Sequence, residues 1–248
     1  MEEEIIVGKH SVLEALKSGR PVNKIWLADT SQKHWALPIL EAAREAGVTV
    51  QRIDRRKLDQ MAGGLQHQGV LAQTAAYGYA ELGDVIERAN ARNEAPFLIL
   101  LDGIEDPHNL GSILRTANCA GAHGVVIPKR RAAGLTAAVS KASAGAVEYT
   151  PVARVTNMAR TIETLKEQGI WTVAAAGDAE TWVHEIDLTV PLAIVIGNEH
   201  HGISRLVREK CDFAARLPMY GEIESLNASV AAGVIMYEVV RQRRFAGG

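Results

Sequence analysis

Cysteine is nearly absent from this chain of 248 residues: Cys119 and Cys211 stand far apart and outside any C-x-x-C spacing. That argues against a disulfide framework and a thiolate zinc site; both thiols are expected to be small buried hydrophobes. Long apolar runs are missing too. The best, Phe97 to Leu101 and Ala228 to Tyr237, fall well short of the ~18 residues of a membrane span. The opening Met1-Glu2-Glu3-Glu4 is acidic where a secretory leader would be basic and then apolar, so a cytoplasmic protein without a membrane partner is expected. Net charge is only −2, from 27 basic and 29 acidic residues, and no global field announces a nucleic-acid partner. The phosphate-cradling motifs G-x-G-x-x-G and G-x-x-x-x-G-K-[ST] do not occur, nor do the G-x-S-x-G elbow and the H-E-x-x-H helix. A dinucleotide-dependent dehydrogenase is accordingly disfavoured. His108, His200 and His201 fall in predicted loops with no metal-selecting spacing, and no metal is expected.

What is present is the composition of an ordinary globular protein, 47% hydrophobic and 23% charged. Short β-like runs alternate with amphipathic helical ones at Lys24 to Ala28, Trp35 to Ala46, Val48 to Ile53 and Val70 to Ala75, which predicts a small α/β domain over residues 1–76. Gly47 stands where a helix C-cap belongs, and Gly63-Gly64 ends the next helical stretch. The polar residues 77–95 read as a linker. Over residues 96–248 the strand candidates become continuous apolar runs, at Phe97 to Leu101, Gly124 to Ile127, Trp171 to Ala176 and Leu192 to Ile196, as in strands buried on both faces of a parallel sheet. Helical patterns separate them at Leu110 to Ala120, Met158 to Gln168 and Ser204 to Lys210, and a last helix runs from Asn227 to Arg244.

Three loops carry polar residues where packing alone would not require them. In the first, Asn109 suits an N-cap, and Arg115 lies six residues on in an otherwise small, apolar stretch, a position that needs either a structural ion-pair partner or a function. In the second, Gly197 and Gly202 flank Glu199 at the carboxyl end of a predicted strand, which fits a plain turn or a backbone shaped to approach a ligand. The third holds Leu217-Pro-Met219, then Ser225, Leu226, Asn227 and Ser229 at the start of a helix whose small residues Ala228, Ala231, Ala232 and Gly233 permit close backbone approach. Together the loops predict one polar pocket at the strand ends. Three basic clusters, Arg52/Arg55/Arg56/Lys57, Lys129/Arg130/Arg131 and Arg241/Arg243/Arg244, read as solvated faces or as phosphate contacts.

In this order the three stretches resemble the signature motifs of the SpoU (TrmH) family in the SPOUT class of RNA methyltransferases. The first, N-x-G-x-x-x-R-T-A, corresponds to Asn109, Gly111, Arg115, Thr116 and Ala117; the second, G-x-E-x-x-G, to Gly197, Glu199 and Gly202; the third to Leu217–Met219 and Ser225–Ala231. The resemblance also takes in Lys129 to Arg131 and the segment from Gly8 to Val12. It implies an α/β catalytic domain with a parallel sheet and a C-terminal trefoil knot, an N-terminal RNA-binding domain like ribosomal protein L30e, and a homodimer. It also implies S-adenosylmethionine-dependent 2′-O-methylation of RNA, in particular of a guanosine in 23S rRNA. Following the family's motif residues, Arg115, Asn109 and Glu199 are expected to be catalytic, with Asn109 orienting Arg115 or the ribose and Glu199 holding the arginine or a substrate donor. Gly197, Leu217, Leu226, Asn227 and Ser229 are expected to hold the cofactor. Once RNA is the partner, the clusters Arg52 to Lys57 and Lys129 to Arg131 become its phosphate contacts, and the helix from Asn227 to Tyr237 the dimer contact. A tRNA ribose methyltransferase and a non-catalytic RNA-binding protein on the same fold are the competing readings; the two-domain layout favours rRNA, and the intact Asn109, Arg115 and Glu199 favour catalysis.

Overall fold

The computed structural model describes residues 3–245; Met1 and Glu2 of the acidic opening lie outside them. The elements in chain order are β1 (Glu3–Val7), α1 (Lys9–Lys17), β2 (Val22–Ala28), α2 (Lys33–Glu45), β3 (Thr49–Ile53), α3 (Arg55–Met61), β4 (Val70–Ala75), α4 (Leu82–Ala91), β5 (Phe97–Asp102), α5 (Pro107–Cys119), β6 (Gly124–Pro128), α6 (Ala137–Ala142), β7 (Val152–Val155), α7 (Met158–Glu167), β8 (Trp171–Ala175), β9 (Thr181–Trp182), β10 (Leu192–Gly197), α8 (Arg205–Lys210), β11 (Phe213–Arg216) and α9 (Ala228–Phe245). They form two units, Met1–Gly78 with Gly134–Tyr149, and Tyr79–Ala133 with Thr150–Gly248.

The first unit is built on a sheet of order β1-β4-β2-β3, in which only β2 and β3 run parallel. Ile6, Ile25, Leu27 and Val70 from the strands bury against Val12 of α1 and Ile39 of α2. Segment 134–149 belongs here and not, as its sequence position suggested, with the rest of residues 96–248. The reason is a buried polar network. The Arg20 guanidinium pairs with Glu148 at 3.1 Å and Glu4 at 3.4 Å, donates to the Ala75 carbonyl, and lies 3.5 Å over the Tyr77 ring. The Tyr77 hydroxyl donates to Glu148 at 2.9 Å and to Ser140 at 2.8 Å, and burial pushes its phenol far above the ordinary range. Removing either charge would strand the other, so the segment is held by the partners it satisfies.

The second unit carries a wholly parallel sheet of order β7-β6-β5-β10-β8-β11-β9. Leu98 to Leu101 and Leu192 to Val195 have no solvent exposure, as continuous apolar runs in a parallel sheet require. The expected linker over 77–95 is not one. Ala80 bridges Ala153, and α4 buries Val85 among Leu98, Leu100, Val126 and Ala153, so one apolar side of a polar helix fixes this stretch to the second unit. Cys119, expected to be buried, is exposed at the last turn of α5, whereas Cys211 is half-buried with its thiol pushed up to about 12, chiefly by burial. Nor is Arg243 part of a solvated basic face. It donates to the carbonyls of Leu188, Ala95, Pro96 and Val190 at 2.6–3.1 Å and fastens the end of α9 to the starts of β5 and β10.

Candidate active site

The three polar turns converge at the carboxyl ends of β5, β10 and β11. Helix α5 is capped by Asp106, whose carboxylate accepts from the His108 N–H at 3.0 Å, with Pro107 in the first turn. Asn109 is therefore not the N-cap. As the third residue of the helix and only 7% exposed, it donates through Nδ2 to Glu199 Oε1 at 2.6 Å. Asn227 donates to the same carboxylate oxygen at 2.5 Å and to Asn109 Oδ1 at 3.0 Å. With its own Oδ1 it accepts from the Ser229 N–H at 3.0 Å, the Ser229 hydroxyl at 2.6 Å and the Val230 N–H at 3.3 Å, capping α9. One carboxylate and two amides thus tie α5, the β10 loop and the start of α9 into a single junction.

The β10 loop has one permitted shape. A Cβ on Gly197 would fall inside the backbone of Gly202 and Ile203, and Gly202 takes φ +64°. Backbone bonds between Asn198 and Gly202, 3.0 and 2.8 Å, close the turn. The Asn198 amide donates to the Gly103 carbonyl at 2.8 Å, and Asp102 accepts from the Ser204 N–H at 2.7 Å, anchoring the loop to the end of β5.

Beside the junction opens a cleft of about 200 Å³. Gly197, Leu217 and Leu226, three of the expected cofactor contacts, line it, as does Glu199; Asn227 and Ser229 stand outside it as helix cap and cap partner. Ile196, Ala231 and Ile235 are among its apolar lining residues, together with the stretch Ala175–Gly177 at the end of β8. Arg216 and Glu224 also line it, and neither was singled out from sequence: Arg216 ends a short strand that hydropathy does not mark, and Glu224 sits in an ordinary polar loop.

Arg115 departs from expectation. It is exposed and makes no hydrogen bond or ion pair among the described residues, and Glu199 engages the two asparagines instead of the arginine. Six residues along a helix turn it about 240° from Asn109, so the buried and solvent faces of α5 separate the two side chains. The basic clusters also divide. Arg52, Arg55, Arg56 and Lys57, like Lys129, Arg130 and Arg131, are exposed, but the Arg52 side chain alone among them also donates at 3.4 Å to the carbonyls of Ala28, Asp29 and Ser31. Among the small residues assigned to the dimer contact, Ala228 and Ala232 are buried, and a Cβ on Gly233 would lie 3.7 Å from Thr116 of α5. That face is used within the unit. Among the described residues no cluster of three metal-ligating side chains occurs, and no helix is long and apolar enough to cross a membrane.

A parallel α/β unit with a glycine-shaped loop and a cleft at the carboxyl ends of its strands is a small-molecule-binding architecture. Residues 96–237 match the SpoU rRNA Methylase family, and residues 5–80 match its RNA 2′-O ribose methyltransferase substrate-binding domain. The chain belongs to the SpoU family of RNA methyltransferases. It is 55% identical over 246 residues to YacO of Bacillus subtilis, named for the TrmH family of tRNA/rRNA methyltransferases, covering 99% of this chain and 98% of that one. A Staphylococcus saprophyticus protein named for the same family is 49% identical, over 100% of this chain and 99% of its own. Among solved structures, the SpoU methyltransferase AviRb from Streptomyces viridochromogenes, in complex with AdoMet, superposes with a TM-score of 0.80 at 27% identity, covering 97% of this chain and 90% of that one.

Proposed function

We propose that this protein transfers a methyl group from S-adenosylmethionine to the ribose 2′-hydroxyl of a guanosine in 23S rRNA. The observation that carries the reading is the junction of Asn109, Glu199 and Asn227 at the edge of the cleft, which draws three separate signature motifs to one point. The cleft fits the cofactor: it has apolar walls for a base, backbone groups at Gly197, Leu217 and Leu226, and two carboxylates for a ligand that carries positive charge. It needs no phosphate cradle, because the cofactor has no phosphate.

When bound, S-adenosylmethionine supplies an electrophilic methyl group on a sulfonium sulfur. The chain's task is to make a neutral hydroxyl a better nucleophile. Arginine stays protonated in proteins, so Arg115 is not a general base. Its guanidinium, which has no hydrogen-bond or ion-pair partner among the described residues, positions the hydroxyl or an adjacent phosphate and stabilises the negative charge developing on oxygen. Glu199, held by two amides, keeps the β10 loop in register with α5.

The exposed cations Arg55, Arg56, Lys57, Lys129, Arg130 and Arg131 take RNA phosphates, while sequence-specific recognition falls on unpaired bases in loops, which can be splayed and stacked. The protein works as a homodimer closed on α9, where Val230, Val234 and Tyr237 leave a stripe 47–53% exposed. A monomeric mass at micromolar concentration would refute the dimer. The trefoil knot implied for the catalytic domain belongs to the same proposal. Mass-spectrometric mapping of ribose methylation in rRNA and tRNA, from cells with and without the gene, tests the function. Loss of one 2′-O-methylguanosine from 23S rRNA is expected; loss from tRNA alone would replace the substrate, and no loss at all would reject the activity.

A further inference from the structure

Arg216 is the last residue of β11 and lies opposite Trp182 in the β9 pairing. Its guanidinium carbon sits 3.9 Å from the centre of the Trp182 ring, so the side chain is clamped flat. Its Nε is buried and has no acceptor, and none of its other donors meets one among the described residues. A half-buried guanidinium with every donor open is an unusual expense for a fold, since desolvated donors cost free energy unless something accepts from them. Arg216 lines the cleft, and among the described residues it is the one cationic residue there, alongside two carboxylate residues, Glu199 and Glu224.

That charge pattern has a complement. The sulfur end of S-adenosylmethionine carries two cations, the sulfonium and the α-ammonium, and one anion, the α-carboxylate. We propose that Arg216 binds the α-carboxylate of the cofactor while Glu224 faces its ammonium, so the enzyme recognises the amino-acid end of the molecule as well as its nucleoside. This rests on the cleft being the cofactor site. A planar, pre-clamped guanidinium is suited to a carboxylate because both partners are flat and the pairing is charge-assisted. The stack on Trp182 spares the side chain most of the ordering that such an interaction otherwise requires.

The test is calorimetric binding of S-adenosylhomocysteine and of its decarboxylated analogue, which differ only in the carboxylate, to the full-length wild-type protein, Arg216→Met and Arg216→Lys. The wild type is expected to prefer S-adenosylhomocysteine by roughly 10- to 100-fold, the range of a charge-assisted hydrogen bond. In Arg216→Met, which keeps an unbranched stem on Trp182, the preference should fall to within about twofold while the analogue binds as before; Arg216→Lys should restore part of it. Equal loss of both ligands in Arg216→Met would mark a structural residue and overturn the proposal, as would a wild type indifferent to the carboxylate, a result that needs no variant to fold. A wild type that binds neither ligand would instead reject the cofactor site.

Discussion

Gly197→Ala puts the geometry of the site under direct strain. The added Cβ would occupy space now held by the main chain of Gly202 and Ile203, which cannot rotate away as a side-chain tip could. Overpacking of this kind costs about 1–3 kcal/mol. Moving the loop also parts the two backbone bonds between Asn198 and Gly202, 3.0 and 2.8 Å, at about 1 kcal/mol each. The sum, about 3–5 kcal/mol, lowers the melting temperature by roughly 6–20 °C at about 2–4 °C per kcal/mol. Because Gly197, Glu199 and Gly202 all line the cleft, affinity for S-adenosylmethionine should fall with it, by roughly tenfold or more. Differential scanning calorimetry, read in the transition that S-adenosylmethionine shifts, supplies the first number and isothermal titration the second. Gly83→Ala is the control: a Cβ there meets nothing within 4 Å at the start of α4, and the change should be neutral or stabilise by up to about 1 kcal/mol. A Gly197→Ala protein that melts within about 2 °C of wild type with unchanged affinity would refute the claim that backbone crowding sets the loop's shape.

Arg115→Lys should lose roughly 100-fold or more of methyl transfer, because the planar fork is gone, while S-adenosylmethionine affinity stays within about threefold; near-normal turnover would end the electrostatic assignment. Replacing Arg55, Arg56 and Lys57 together by alanine should flatten the salt dependence of RNA binding by about two units of log–log slope without changing the melting temperature, and an unaltered slope would return them to a solvated face. Arg52→Ala should do the reverse, lowering stability by about 1 kcal/mol through its lost carbonyl contacts and leaving the slope nearly as it was. His123 is held neutral by burial, which lowers its pKa more than Glu94, 3.0 Å away, raises it. Since the unfolded chain takes up this proton first, stability should be full above pH ~6.5 and decline as pH falls below it, until the folded-state pKa is passed. In His123→Gln that segment of the pH–stability curve should flatten; a curve identical to wild type would assign the dependence to other groups.

The strands of the parallel sheet were legible because burial on both faces leaves runs such as Phe97 to Leu101 and Leu192 to Ile196 without polar interruption, and a run of that kind needs no knowledge of its neighbours. The short strands β7, β9 and β11 left no such trace. Phe213-Ala-Ala-Arg216 has too few apolar residues to stand out, and it is a strand because β8 and β9 flank it. Helix α4 passed for a linker for a related reason: its buried side rests on few residues, chiefly Val85 and Ala89, and its remaining positions are polar.

Residue types and their order along the chain determined which groups the protein has for its chemistry: an arginine after an asparagine on one helix, an acid between two glycines, and a serine–asparagine helix start. They also determined the parallel α/β class, because hydropathy is a local property. Which of those groups touch was decided only when the chain closed on itself. Glu199 reaches Asn109 and Asn227 across separations of 90 and 28 residues, Arg115 is left without a partner among the described residues, and Arg216 is aligned with Trp182 by strand pairing. Hydrogen bonds and ion pairs act over a few ångströms of space, and distance along a sequence carries almost no information about distance in space.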